Sequence, residues 1–167
     1  GTMKVLAILA CIVVGAAVVH GACDELHKYK VQAQWAQIYT NEGATTRTTI
    51  CKAAFRALFK IEPATRALFS KFDSQDTNSP KFQAHCVRVL GGLGQLFSLL
   101  GEPKIFESQL DHLSQYHAKI PNLQIVYFEQ LGQALEEIFK RSIEDYDNEA
   151  FADCYIDIVK GMTSRIV

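Results

Sequence analysis

The chain has 167 residues, 49% of them hydrophobic, with 17 Lys and Arg against 18 Asp and Glu. That is enough for one domain with a real core. The near-neutral balance, with no run of like charges, excludes a polyanion-binding surface and an acidic tail, so nucleic acid is not an expected partner.

Met3 and Lys4 open an almost wholly apolar run, Val5 to Val19, which ends in Val19-His20-Gly21-Ala22. Its length of about 15 residues falls short of the roughly 20 that a spanning helix needs. It therefore reads as a signal peptide over residues 1–21, cut after Gly21 or Ala22, ahead of a secreted domain over 22–167 with no membrane anchor. Gly1 and Thr2 precede the initiating methionine and are set aside with it. Cys11 would leave with the leader, and Cys23, Cys51, Cys86 and Cys154 would remain in an oxidising compartment. None of these forms a CxxC or a Cys/His zinc spacing, so disulfides are the better reading than a metal knuckle.

Beyond the leader, helical periodicity runs through almost all of the chain, and no strand alternation survives beyond a few residues. Helical stretches are predicted over Glu25 to Tyr39 and Thr48 to Lys60, with a loop at Gly43. A second loop is predicted over the Asp-, Asn- and Ser-rich residues Asp73 to Ser79. Phe82, Cys86, Val89, Leu90, Leu93 and Phe97 then recur at three- and four-residue steps, and His85 shares their face. The pattern returns as Phe106, Leu110, Leu113 and His117, continues over Leu123 to Lys140, and returns again from Phe151 through Cys154, Tyr155, Ile158 and Val159 to Met162. Pro63, Pro80, Pro103 and Pro121 each stand near the start of such a segment, where a missing N–H costs nothing. The fold class is all-α.

Two histidines, His85 and His117, lie on apolar faces of different helices and could face one another across a gap wide enough for something flat. A single inward histidine is more often a hydrogen-bonded core residue. Two of them, surrounded by phenylalanines, argue for a site.

In both type and spacing these residues resemble a globin. "ATRALFSKF" after Pro63 carries Phe69 and Phe72 where globins set two phenylalanines against the haem. "SPKFQAHCVRVL" resembles the distal helix, with His85 as the distal histidine and Val89 one turn on. "LDHLSQYHAKIPNLQIVYFEQL" resembles the proximal helix and the start of the next. The resemblance implies a globin fold holding haem b, with His117 as the iron ligand and Leu113 one turn before it. It also implies Leu123, Phe128 and Leu131 along the other edge of the haem, and Phe55 limiting access on the distal side. His112 would be the rival ligand, but it falls about 140° round the helix from His117, off the apolar row.

"KVQAQWAQIY", followed much later by "FADCYIDIVKGM", is similar to the secreted giant haemoglobins of annelids and their tube-dwelling relatives. This implies a disulfide from Cys23 to Cys154. It also implies assembly with other globin chains and non-globin linker subunits, and a free thiol at Cys86 proposed to bind hydrogen sulfide. Cys51 is expected to be a small buried apolar residue with no partner assigned to its thiol.

The function so implied is reversible oxygen binding and transport outside the cell, without enzymatic activity. A peroxidase or a haem-based sensor is the alternative, and a haem-free helical interaction protein a third reading. A peroxidase would need a polar distal site with a cation; Arg88, three positions from His85, is expected to reach solvent or a haem propionate instead.

Overall fold

A computed structural model describes residues 22–40 and 43–167; residues 1–21, expected as a signal peptide, and Cys11 among them, lie outside the described residues. The regular elements among those described are seven helices, α1 (Glu25–Thr40), α2 (Gly43–Ile61), α3 (Thr65–Leu68), α4 (Pro80–Ser98), α5 (Pro103–His117), α6 (Ile125–Ser142) and α7 (Asn148–Thr163), with a 3-10 turn at Ser70–Phe72. No described helix is long and apolar enough to cross a membrane.

Helix starts follow local chemistry. Pro80 opens α4, and the hydroxyl of Ser79 accepts from the Phe82 amide at 3.2 Å, satisfying one of the donors that a first turn leaves orphaned. Asp147 does the same for α7, its carboxylate accepting from the Ala150 amide at 3.0 Å. Pro103 opens α5. At α2 the structure departs from the expected loop: the helix begins at Gly43 rather than Thr48. The additional turn is polar, with Thr45 and Thr49 exposed and the Thr48 hydroxyl donating to the Thr45 carbonyl at 2.9 Å. Apolar periodicity cannot register a turn whose only apolar residue is Ala44. Arg47 fixes this end of the helix by donating to the Tyr39 carbonyl at 3.2 Å and lying 4.5 Å over the Tyr39 ring.

α2 packs on α4 and α6, while α7 packs on α1, α5 and α6. Phe55, Phe82, Phe97 and Phe139 are fully buried between these helices, each contributing about 1.5–3 kcal/mol relative to exposure. Trp35 brings α1 into the same core, 5.0 Å from the Phe97 ring and 6.1 Å from that of Phe139. Two crossings depend on the absence of a side chain. A Cβ at Gly132 of α6 would overlap the Tyr155 ring, and one at Gly161 of α7 would come within 2.5 Å of Leu110 Cδ1.

A disulfide joins Cys23, just ahead of α1, to Cys154 in the middle of α7, across a sequence separation of 131. In the loop-entropy model, closing a loop of that length restricts the unfolded chain by about 5 kcal/mol. Lys30 adds an ion pair between the same ends, its ammonium 2.7 Å from the Asp147 carboxylate.

Candidate functional site

Between α2 and α4 on one side and α5 and α6 on the other lies a cavity of about 360 Å³. Phe55, Phe69, Phe72, His85 and Val89 line its first wall, and Leu113, His117, Leu123, Phe128 and Leu131 its second. All ten residues singled out for the pocket in the sequence therefore meet in one place.

Each wall has a local cause. The cap at Ser79 sets the phase of α4, so that Phe82, His85 and Val89 fall one turn apart. Phe69 and Phe72 are held by a closed turn. Arg66 donates to the Ser74 carbonyl at 2.6 Å, the Ser74 hydroxyl donates back to the Arg66 carbonyl at 2.9 Å, and Asp73 takes the left-handed backbone at φ 62° that a short polar residue tolerates. His117 is the last residue of α5, and its helix is tied to α7 by the Ser114 and Ser164 hydroxyls at 3.0 Å.

The rings pack as an aromatic box. His85 lies parallel to Phe72, centroids 4.1 Å apart at 10°, while Phe55 stands 5.5 Å from His85 and 5.0 Å from Phe69. Across the cavity Phe128 meets His117 edge to face at 5.1 Å. Burial pushes the His85 imidazole down to about 4, helped by the charges of Arg88 and Lys71. Burial lowers His117 too, against a smaller opposing pull from the Leu113 carbonyl. Both rings are therefore neutral at neutral pH, the form that offers a nitrogen lone pair to a metal. His85 Nε2 is buried and has no hydrogen-bond partner among the described residues. An orphaned polar atom on an apolar cavity wall calls for a polar ligand. His112 is exposed and does not line the cavity.

Lys71, Tyr155 and Met162 also line the cavity, and no expectation from the sequence named them there. Lys71 and Arg88 flank the cavity, their charged ends 4.9 and 5.4 Å from the Phe72 ring centroid, so Arg88 is a lining residue as well as a surface one. Nothing in the periodicity marks Lys71, which sits in a 3-10 turn. Tyr155 and Met162 reach the cavity from α7; both stood in its apolar row, and only the crossing over Gly132 tells that they arrive at the site. Cys86 is fully buried next to His85, and Cys51 of α2 lies beside it; both thiols are free. Burial, with Cys86 beside it, pushes the Cys51 thiol well up.

Fold and site together define an all-α pocket protein whose apolar cleft presents two neutral imidazoles from separate helices. The chain belongs to the globin family, whose family model matches residues 52–162. It is 35% identical to an extracellular monomeric globin of Tubifex tubifex, over 83% of this chain and 96% of that one. To extracellular globin-2 of Lumbricus terrestris it is 34% identical, over 84% and 95%. A solved structure of a hexacoordinated heme protein from an anhydrobiotic tardigrade superposes with a TM-score of 0.66 at 18% identity, covering 85% of this chain and 91% of that one, a likeness of fold.

Proposed function

We propose that this globin binds haem b between His85 and His117 and carries oxygen outside the cell. One observation bears most of the weight: two neutral imidazoles from α4 and α5 line a single aromatic cavity large enough for a flat ring. The donor set fits that group. His117 supplies a nitrogen to iron, and Phe72, Phe128 and the leucines supply apolar contact to the ring. Lys71 and Arg88 supply cations for its carboxylates.

Haem would supply an iron with one open position at which dioxygen binds reversibly. The chain's part is to keep that position dry and to offer one proton. Phe55, Phe69 and Val89 exclude water from the side that His85 occupies. The neutral His85 ring carries one N–H, and such a donor to a partly charged acceptor is worth about 1.5–3 kcal/mol. That is one to two powers of ten in affinity at about 1.4 kcal/mol each, enough to hold oxygen without fixing it.

Secretion, through removal of residues 1–21 ahead of a domain over 22–167, is supported by the names of the relatives, which are extracellular globins of annelids. Assembly with other globin chains and linker subunits belongs to the same reading; the Tubifex relative is named monomeric, so native mass decides it. Sulfide capture at Cys86 would need an accessible thiolate, and Cys86 is buried against Cys51. The oxygen reading does not draw on it.

The test is the spectrum of the secreted protein. A Soret band that shifts reversibly between oxygenated and deoxygenated samples, without peroxide turnover, supports oxygen carriage. Turnover of peroxide without stable oxygenation would favour a peroxidase, and no Soret band would remove haem from the reading.

A further inference from the structure

We propose that a cleft between the turn at Ser70–Phe72 and the connection from α5 to α6 binds a multivalent oxyanion of the phosphate class, and that the bound anion tunes the neighbouring cavity. The cleft measures about 490 Å³, within the span of roughly 300–1,000 Å³ that small-molecule sites occupy. Lys71 lines one wall and Lys119 the other, and among the described residues no carboxylate lines it. Neither ammonium has an ion-pair partner among the described residues. A cleft lined by charges of one sign focuses their field on its interior and concentrates the opposite ion there. Around the two lysines stand Ser70, Asn122, Gln124 and Tyr127. Their hydroxyls and amides are hydrogen-bond donors, a set that suits an anion with several oxygens better than a halide. The Gln124 side chain does not cap α6, which leaves its amide for a ligand.

The cleft is separate from the space proposed for haem. Lys119 lines the cleft and not the main cavity, while Arg88 lines the main cavity and not the cleft. Arg88 therefore serves the haem carboxylates when Lys71 turns to the cleft. The two spaces nonetheless touch, since Leu68, Lys71, Ile120 and Tyr127 line both. Lys71 is the link between them. Its ammonium lies 4.9 Å from the Phe72 ring centroid, and Phe72 stacks on His85 at 4.1 Å. After burial and Arg88, the charge of Lys71 also helps to hold the His85 ring neutral. On the opposite wall Lys119 follows His117 by two residues, so an anion that draws both ammoniums together acts on both walls of the cavity. Differential contact of this kind couples two sites, and the coupling is reciprocal. Binding of the anion does not depend on haem; its effect on oxygen rests on the function proposed above.

The experiment titrates the full chain, loaded with haem and haem-free, with inorganic pyrophosphate at constant ionic strength, chloride making up the balance, and counts bound anion by equilibrium dialysis. One pyrophosphate per chain is expected in both forms. Lys119→Gln should weaken binding about tenfold or more, the worth of one hydrogen bond to a charged group. Lys119→Arg keeps the cation and should bind like the parent. So should Lys160→Gln, at an exposed lysine of α7 that lines neither space. In the haem-loaded parent, pyrophosphate should shift the oxygen pressure of half-saturation by about fivefold or more, and in Lys119→Gln it should not. Absence of binding by the parent, or equal binding by Lys119→Gln, would overturn the site. Binding by the haem-free chain alone would make the cleft a seat for the haem carboxylates and overturn it as well. Binding that leaves oxygen affinity unmoved would overturn the coupling. A chain that takes up pyrophosphate but no haem would sink the haem reading, and the coupling with it, while the site stands.

Discussion

Tyr155 rests on the bare backbone of Gly132 and donates its hydroxyl proton to the Phe128 carbonyl at 2.9 Å, so one residue of α7 closes the floor of the cavity against two positions of α6. Gly132→Ala should push that ring away, at about 1–3 kcal/mol of overpacking. Tyr155→Phe keeps the ring, loses only the hydrogen bond, and should cost about 1 kcal/mol. Denaturant unfolding ranks the two; if Gly132→Ala proves the milder, the crossing is not tight.

His117→Gly should abolish stable haem uptake, and imidazole added in solution should restore the Soret band by occupying the space of the lost side chain. His85→Leu should retain haem but release oxygen and oxidise faster, by about the one to two powers of ten that a single charge-assisted bond supplies. Stopped-flow release at the parent rate would remove His85 from the distal side.

The haem-free protein should lose stability as the pH falls from about 6.5 to about 4. Unfolded, His85 titrates near its ordinary 6.5; folded, near 4. Between those values the unfolded chain binds more protons, so acid favours unfolding. His117, lowered in the same direction, adds to the slope. Urea midpoints across this range should fall less steeply for His85→Leu than for the parent.

Asp147→Ala should destabilise the chain by about 1 kcal/mol through loss of the α7 cap. The Ala150 amide and Lys30 hold the Asp147 carboxyl below its usual range. Its contribution is therefore present above pH 3.8 and disappears as the pH falls through the lower folded value. The parent and variant should converge in acid, as read by thermal midpoints.

Reduction of the Cys23–Cys154 bridge, or its replacement by a serine pair, should lower stability by up to about 5 kcal/mol, the loop-entropy limit. Unfolding curves with and without reductant measure it, and the serine pair should show no response to reductant.

Much of this was legible in the sequence because globin walls are written in helical phase. Pro80 and Ser79 announce α4, and Phe55, Val89, Leu113, Phe128 and Leu131 stand on three- or four-residue steps that a helix turns inward, while Phe69, Phe72 and Leu123, on turns between helices, were legible through the resemblance alone. What escaped lacks such a step. The first turn of α2 is polar, Lys71 sits in a 3-10 turn, and the thiol contact between Cys51 and Cys86 links residues far apart in the chain. The meeting of His27 with Asp153 is of the same kind: neither residue signals the other until α1 lies on α7.

The bridge between the chain's two ends also sets an order of events during synthesis. Of the described cysteines, Cys23 emerges first and its partner Cys154 last, with Cys51 and Cys86 in between. For most of translation, then, the described cysteines within reach of Cys23 are the wrong ones. A correct product requires that α2 and α4 bury their thiols against each other before Cys23 is oxidised, or that thiol exchange repairs the error afterwards. Burial of Cys51 and Cys86 thus acts as proofreading on the ribosome's timescale, and variants that loosen the α2 and α4 contact should fold with scrambled bridges even where the finished fold would tolerate them.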